Sequence, residues 1–76
     1  MLDPVMVGQV LREYREKRGL SQEVASGLAG IGRTHLSAIE RGLRRPTIDT
    51  FYRICYALNV KASEVMAEIE QKQENL

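Results

Sequence analysis

Apolar residues in this chain return every three or four positions, in five separate blocks, and no run of them alternates with period two. That spacing lines them along one side of a helix, whereas a half-buried strand needs strict alternation. Neither Asn-Gly nor Asp-Gly, the short hairpin signals, occurs anywhere in the chain. An all-α fold is the class that remains. Stops separate the blocks: Gly19, Gly30, Gly42 and Asn59 each close a periodic stretch, and each tolerates the left-handed backbone that ends a helix.

Val7, Val10, Leu11 and Tyr14 share one face of a helix over roughly 5–18, with Pro4 at its first turn and Arg12, Glu13, Glu16 and Lys17 opposite. Ser21 caps a second, short helix with Glu23 in its first turn. Gly27 lies inside it and costs about 1 kcal/mol relative to Ala, so packing must hold this helix together. Gly32 opens a third helix over 33–40, whose Leu36 and Ile39 share a face with Ile31. Thr47 caps a fourth, with Asp49 in the first turn and an apolar stripe of Ile48, Phe51, Ile54, Cys55 and Leu58. Ala62, Val65, Met66 and Ile69 mark a fifth, entered at Lys61 or Ser63, which frays into QKQENL. In 76 residues these five helices make one domain, with a core over about 5–69 and a polar tail over 70–76.

Cys55 is the one cysteine and His35 the one histidine, so neither an internal disulfide nor a Cys/His metal cluster can form. On the apolar side of its helix, Cys55 reads as core. Apolar runs are too short to span a bilayer, and MLDPVMVG lacks the basic-then-apolar order of a signal peptide. A cytoplasmic protein is expected. There is no Gly-rich phosphate loop and no paired acid and base, so no enzyme, cofactor or small-molecule ligand is expected either.

A net charge of +1 says little, but its distribution says more. Residues 33–45 carry Arg33, Arg41, Arg44 and Arg45 against Glu40, a local balance of +3. Residues 64–74 carry Glu64, Glu68, Glu70 and Glu74 against Lys72, a local balance of −3. Such asymmetry fits one face for a polyanion and another for something else, or two ordinary solvated faces.

The basic stretch coincides with the tightest connection in the chain. Helices two and three are joined by LAGIGR, and two helices on a short glycine turn form a helix-turn-helix, whose second member can enter the DNA major groove. The geometry needs a small residue where the helices cross, which Ser26 supplies, and a turn residue at ease with positive φ, which Gly30 supplies. Leu36 can anchor the second helix from beneath. Helix–glycine–helix pairs also abound in proteins that never meet DNA.

The stretches LREYREKRGLSQE and RTHLSAIERGLRRPTIDTFYRICYAL resemble the lambda-repressor-like, Cro-type helix-turn-helix domain, the XRE family. The resemblance covers about residues 7–66, and its most specific part is GLSQE, an S-x-I-E-R-G ending and a basic turn with R-P-T. It implies a five-helix DNA-binding fold and a role for each matching position. Arg33, Thr34, Ser37 and Ala38 would face base edges. Gln22, His35, Arg41, Arg44 and Arg45 would meet phosphates, although Arg44 and Arg45 also suit a merely solvated turn. Arg15 and Glu40 match the family's structural ion pair between helices one and three. Ala25-Ser26, where the family usually has Leu-Ala, and Gly27 thin the core under helix two.

The resemblance implies a sequence-specific transcriptional regulator binding double-stranded DNA, and RTHLSAIERG is similar to restriction–modification controllers in particular. A homodimeric repressor or controller on a near-palindromic operator is the leading expectation. Its interface is expected on helix five through Val65, Met66 and Ile69, because that helix offers more apolar surface than a small chain can cover. Tyr52 and Tyr56 share a helix face and suit either packing or an interface. The reading from another class is an antitoxin-like module that neutralises a partner protein, using the short spare tail after about Ile69.

Overall fold

A computed structural model describes residues 1–75 as five helices: α1 (Pro4–Lys17), α2 (Gln22–Ala29), α3 (Arg33–Glu40), α4 (Ile48–Ala57) and α5 (Ala62–Glu74). No strand occurs among the described residues. Side-chain caps open three of the helices. Asp3 accepts from the Val5 amide at 2.9 Å, Ser21 from Val24 at 3.1 Å and Thr47 from Thr50 at 3.0 Å. Each satisfies one of the amide donors a helix start leaves without a partner. Closure follows the expected stops, with Gly19, Gly30, Gly42 and Asn59 at φ of 68°, 71°, 76° and 57°. Lys61 stands at the cap position of α5 without a side-chain bond, and Ser63 lies inside the helix.

One apolar cluster draws on all five helices, with Val10, Leu11, Leu36, Ile39, Ile54, Leu58, Val65 and Ile69 almost wholly enclosed. The closest contacts pair α2 with α4 and α1 with α3, while α5 lies across α1 and α4. Gly8 allows the tight approach of α1 to the end of α3. A Cβ there would stand 2.7 Å from the Glu40 carbonyl oxygen and closer still to that of Ile39.

Three expectations need correction. Val65 and Ile69 are 0% exposed, so neither has surface left to give a partner; only Met66, half-buried, lies at the edge. The chain covers its fifth helix after all, because α5 lies in the angle between α1 and α4. Ile48 leaves the stripe assigned to α4 and stands 85% exposed, since it is the first residue of the helix and projects beyond its neighbours. The helix does not fray into QKQENL as expected: α5 continues through most of the 70–76 tail, to Glu74, held by Lys72 Nζ donating to Glu13 at 2.9 Å and by Gln73. The Gln73 amide nitrogen donates to the Met1 carbonyl at 2.8 Å, and its carbonyl oxygen accepts from the Asp3 amide at 2.7 Å. Leu76 lies outside the described residues.

Candidate nucleic-acid interface

On α2, Ser26 is 3% exposed, and its hydroxyl donates to the Glu23 carbonyl at 3.1 Å and so enters the interior satisfied. Gly30 then turns the chain. Its amide donates to Gly27 and that of Ile31 to Ser26, closing the last carbonyls of α2. Beyond the turn, Leu36 and Ile39 are 1% and 0% exposed and fasten α3 to the core. One side of α3 is thereby consumed, and Arg33 and Thr34 remain exposed at its opening end.

At the other end of α3 lies a buried polar cluster. Arg15 grips Glu40 with two donors, Nε to Oε2 at 2.6 Å and Nη2 to Oε1 at 2.9 Å, and sends Nη1 to the Leu20 carbonyl at 2.8 Å. The side chains are 11% and 2% exposed. The hydrogen bonds to Glu40 hold the Arg15 guanidinium above its usual pKa range, against the opposing pull of burial. Gln22 joins the cluster, its amide nitrogen donating to Glu40 Oε1 at 3.0 Å. Three helices thus converge on one carboxylate. The expected ion pair is present, and it also fixes the start of α2.

Among the residues expected at bases, Arg33 and Thr34 are exposed, while Ser37 and Ala38 are half-buried one turn on. Of those expected at phosphates, Arg41 and Arg44 are exposed and make no ion pair among the described residues, and His35 is half-buried. Two depart from that simple picture. Gln22 spends one amide hydrogen on Glu40, so only the second, with its carbonyl, can turn outward. Arg45 donates from Nη1 to the Leu2 carbonyl at 2.7 Å, and its Nη2 lies 3.7 Å from the Met1 sulfur. Because Glu40 is buried, the exposed side chains of residues 33–45 carry four arginines and no carboxylate.

Three further features complete the surface; the first two had no sequence signal, and the third decides between the two readings of the tyrosine pair. Arg53 on α4 donates from Nη2 to the Gly30 carbonyl at 3.2 Å, a contact spanning 23 residues. Leu2, Pro4, Val7, Pro46, Ile48, Phe51 and Met66 line an apolar groove of about 260 Å³ beside the basic turn. Leu28, Tyr52 and Tyr56 are 62%, 59% and 76% exposed, so the tyrosines do not pack in the core.

A glycine-turned helix pair, tied to α1 through Glu40 and presenting Arg33 at the free end of its second helix, defines a DNA-binding helix-turn-helix domain. The chain belongs to the helix-turn-helix family HTH_3, which matches residues 11–65. It is 33% identical over 66 residues to an uncharacterized HTH-type transcriptional regulator of Sinorhizobium fredii, y4dJ, across 87% of this chain and 86% of that protein. With the HTH-type transcriptional regulator SinR of Bacillus subtilis it shares 31% identity over 64 residues; this chain spans only 58% of that protein's length. The solved structure of the restriction–modification controller protein C.AhdI from Aeromonas hydrophila overlays with a TM-score of 0.81 at 35% identity, over 86% of this chain and 98% of that one. These relatives are regulators, which is not a class of enzymes.

Proposed function

We propose that this DNA-binding transcriptional regulator works as a homodimer on a near-palindromic operator, as a repressor or controller. One observation carries the reading: the end of α3 that packing leaves free is also the end that presents Arg33 and Thr34. Arg33 would read a guanine through O6 and N7, an exchange supplying roughly 1–3 kcal/mol of discrimination. Thr34, Ser37 and Ala38 would line the base edges beside it. The first turn of α3 has no side-chain cap, so its amides are available to a phosphate. Arg41, Arg44 and His35 would follow the backbone, as would the second amide hydrogen of Gln22 and, once it leaves the Leu2 carbonyl, Arg45.

The dimer contact we propose is the apolar groove rather than the buried face of α5. Ile48, Phe51 and Met66 lie there with Pro46 and Leu2, and a second copy would cover an isoleucine that otherwise stands in water. Two-fold pairing sets recognition helices about 34 Å apart, one turn of DNA. No helix among the described residues is long and apolar enough to cross a membrane. Action on an operator assigns the protein to the cytoplasm in cells like those of its relatives. The partner-neutralising alternative is less favoured, because residues 70–74 continue α5 and two of them, Lys72 and Gln73, are engaged by Glu13 and the N-terminus rather than forming a free extension.

The test is selection of bound sequences from random duplex DNA, followed by titration of Arg33→Ala on the recovered and scrambled duplexes. Recovery of an inverted repeat is expected, with the variant losing about 2–6 kcal/mol on it, since each dimer loses two contacts. Equal loss on both duplexes would make Arg33 a phosphate contact and end the base-reading assignment.

A further inference from the structure

The reading end of α3 is the least secured part of the motif. Gly32 caps it without a side-chain bond, no acidic residue sits in its first turn, and Arg33 sets positive charge against the positive end of the helix dipole. The eight residues of α3 are too few to hold their own ends. Something outside the helix has to fix where it begins. Among the described residues, one side-chain hydrogen bond reaches the backbone of the turn: Arg53 Nη2 to the Gly30 carbonyl at 3.2 Å. The same guanidinium lies against the C-terminal end of α2, which has no basic residue in its own last turn. Arg53 therefore supplies from α4 the cation that end lacks. It does so at a residue that must keep a φ of 71° for the chain to turn at all.

We propose that Arg53 is a positioning residue for DNA reading: by holding the Gly30 carbonyl it sets the direction in which α3 leaves the turn, and so the aim of Arg33. The inference rests on the base-reading assignment above. Its parts are suitably stiff. Packing between α2 and α4 is the most extensive in the fold, so α4 is a firm base for the clamp. Nη1 of Arg53 lies 3.9 Å from Asp49 on its own helix, a looser contact than the 3.2 Å bond to the Gly30 carbonyl. Gly30 lies three residues before Arg33, so a small change in the turn becomes a displaced guanidinium at the base edge.

The test uses Arg53→Ala and Arg53→Met in the full chain, the second keeping the aliphatic stem over the turn while removing every donor. Each is titrated on the duplex recovered by selection with the wild-type protein, and on a scrambled duplex, at several salt concentrations. Helical content is followed by circular dichroism. Expected for both is a loss of about tenfold on the selected duplex, with scrambled-duplex affinity, salt slope and helicity unchanged. A parallel fall on both duplexes with a shallower salt slope would make Arg53 itself a phosphate contact. Folded Arg53→Met with wild-type discrimination would show that the clamp aims nothing. Either result overturns the inference while leaving the base-reading assignment intact. Wild-type protein that cannot tell the two duplexes apart overturns both.

Discussion

Glu40 is one carboxylate answering to three donors from two other helices, which makes it the residue whose loss would be felt most widely. Replacing it by Ala strands the Arg15 guanidinium at 11% exposure. We expect Glu40→Ala to lower stability by about 3–5 kcal/mol in urea unfolding, and Arg15→Met with Glu40→Leu to recover much of that loss. A single variant as stable as wild type would deny the cluster its structural part. Cys55 offers a residue-scale test by pH. It is 1% exposed, and burial pushes its thiol from the usual 9.0 up to about 11. The folded thiol keeps its proton where the unfolded one gives it up. Its contribution is complete below about pH 9 and fades as pH rises toward about 11, a loss of roughly 2–3 kcal/mol. The stability gap between wild type and Cys55→Ala should narrow by that amount across the window. A gap that stays constant would mean the thiol titrates normally.

Elements of this fold differ in what they ask of glycine, and a single substitution separates them. Gly27 lies inside α2 with open space where a Cβ would go, and Gly8 lies inside α1 against the carbonyls that end α3. Gly27→Ala should raise stability by about 0.5–1 kcal/mol, because the helix gains propensity and loses no contact. Gly8→Ala should lower it by roughly 1–3 kcal/mol or more, because α1 must back away from α3. Denaturant midpoints of the two variants check both signs, and a stabilised Gly8→Ala would contradict the close approach. Both positions look alike in sequence. Helix propensity is written into the local chain, whereas the neighbour that forbids a methyl group lies more than thirty residues away.

At the scale of the whole molecule, charge and apolar surface are sorted to different places. Arg33 is exposed at the opening end of α3 and Arg41, Arg44 and Arg45 are exposed beyond its closing end, the glutamates of α5 lie on a helix packed on α1 and α4, and the groove at Ile48 opens beside the basic turn. A protein that dimerises through the groove should become monomeric as Ile48→Asp, with its helical content unchanged because the side chain is already exposed. Sedimentation should then show a monomer, and affinity for the selected inverted repeat should fall towards that for a single half-site. An Ile48→Asp variant that sediments as wild type does would move the interface elsewhere, with the exposed Leu28, Tyr52 and Tyr56 face next in line.

Local rules carried the reading of the chain a long way. Five helices, their stops at Gly19, Gly30, Gly42 and Asn59, the caps at Ser21 and Thr47 and the tight turn before Arg33 all depend on residues within four positions of one another. Interactions at that range are encoded where they occur. The Arg15–Glu40 pair came from the family resemblance, not from spacing. What periodicity could not say is which apolar stripe a neighbour would cover. Val65 and Ile69 went inside because α1 and α4 pack on α5, while Ile48, the first residue of α4, stayed out. The same holds for Gln22 turned onto Glu40, Arg45 held at the Leu2 carbonyl and Arg53 at the Gly30 turn: each partner is 18 to 43 residues distant. No local pattern constrains a contact at that separation; only the packed helices bring its two ends within reach.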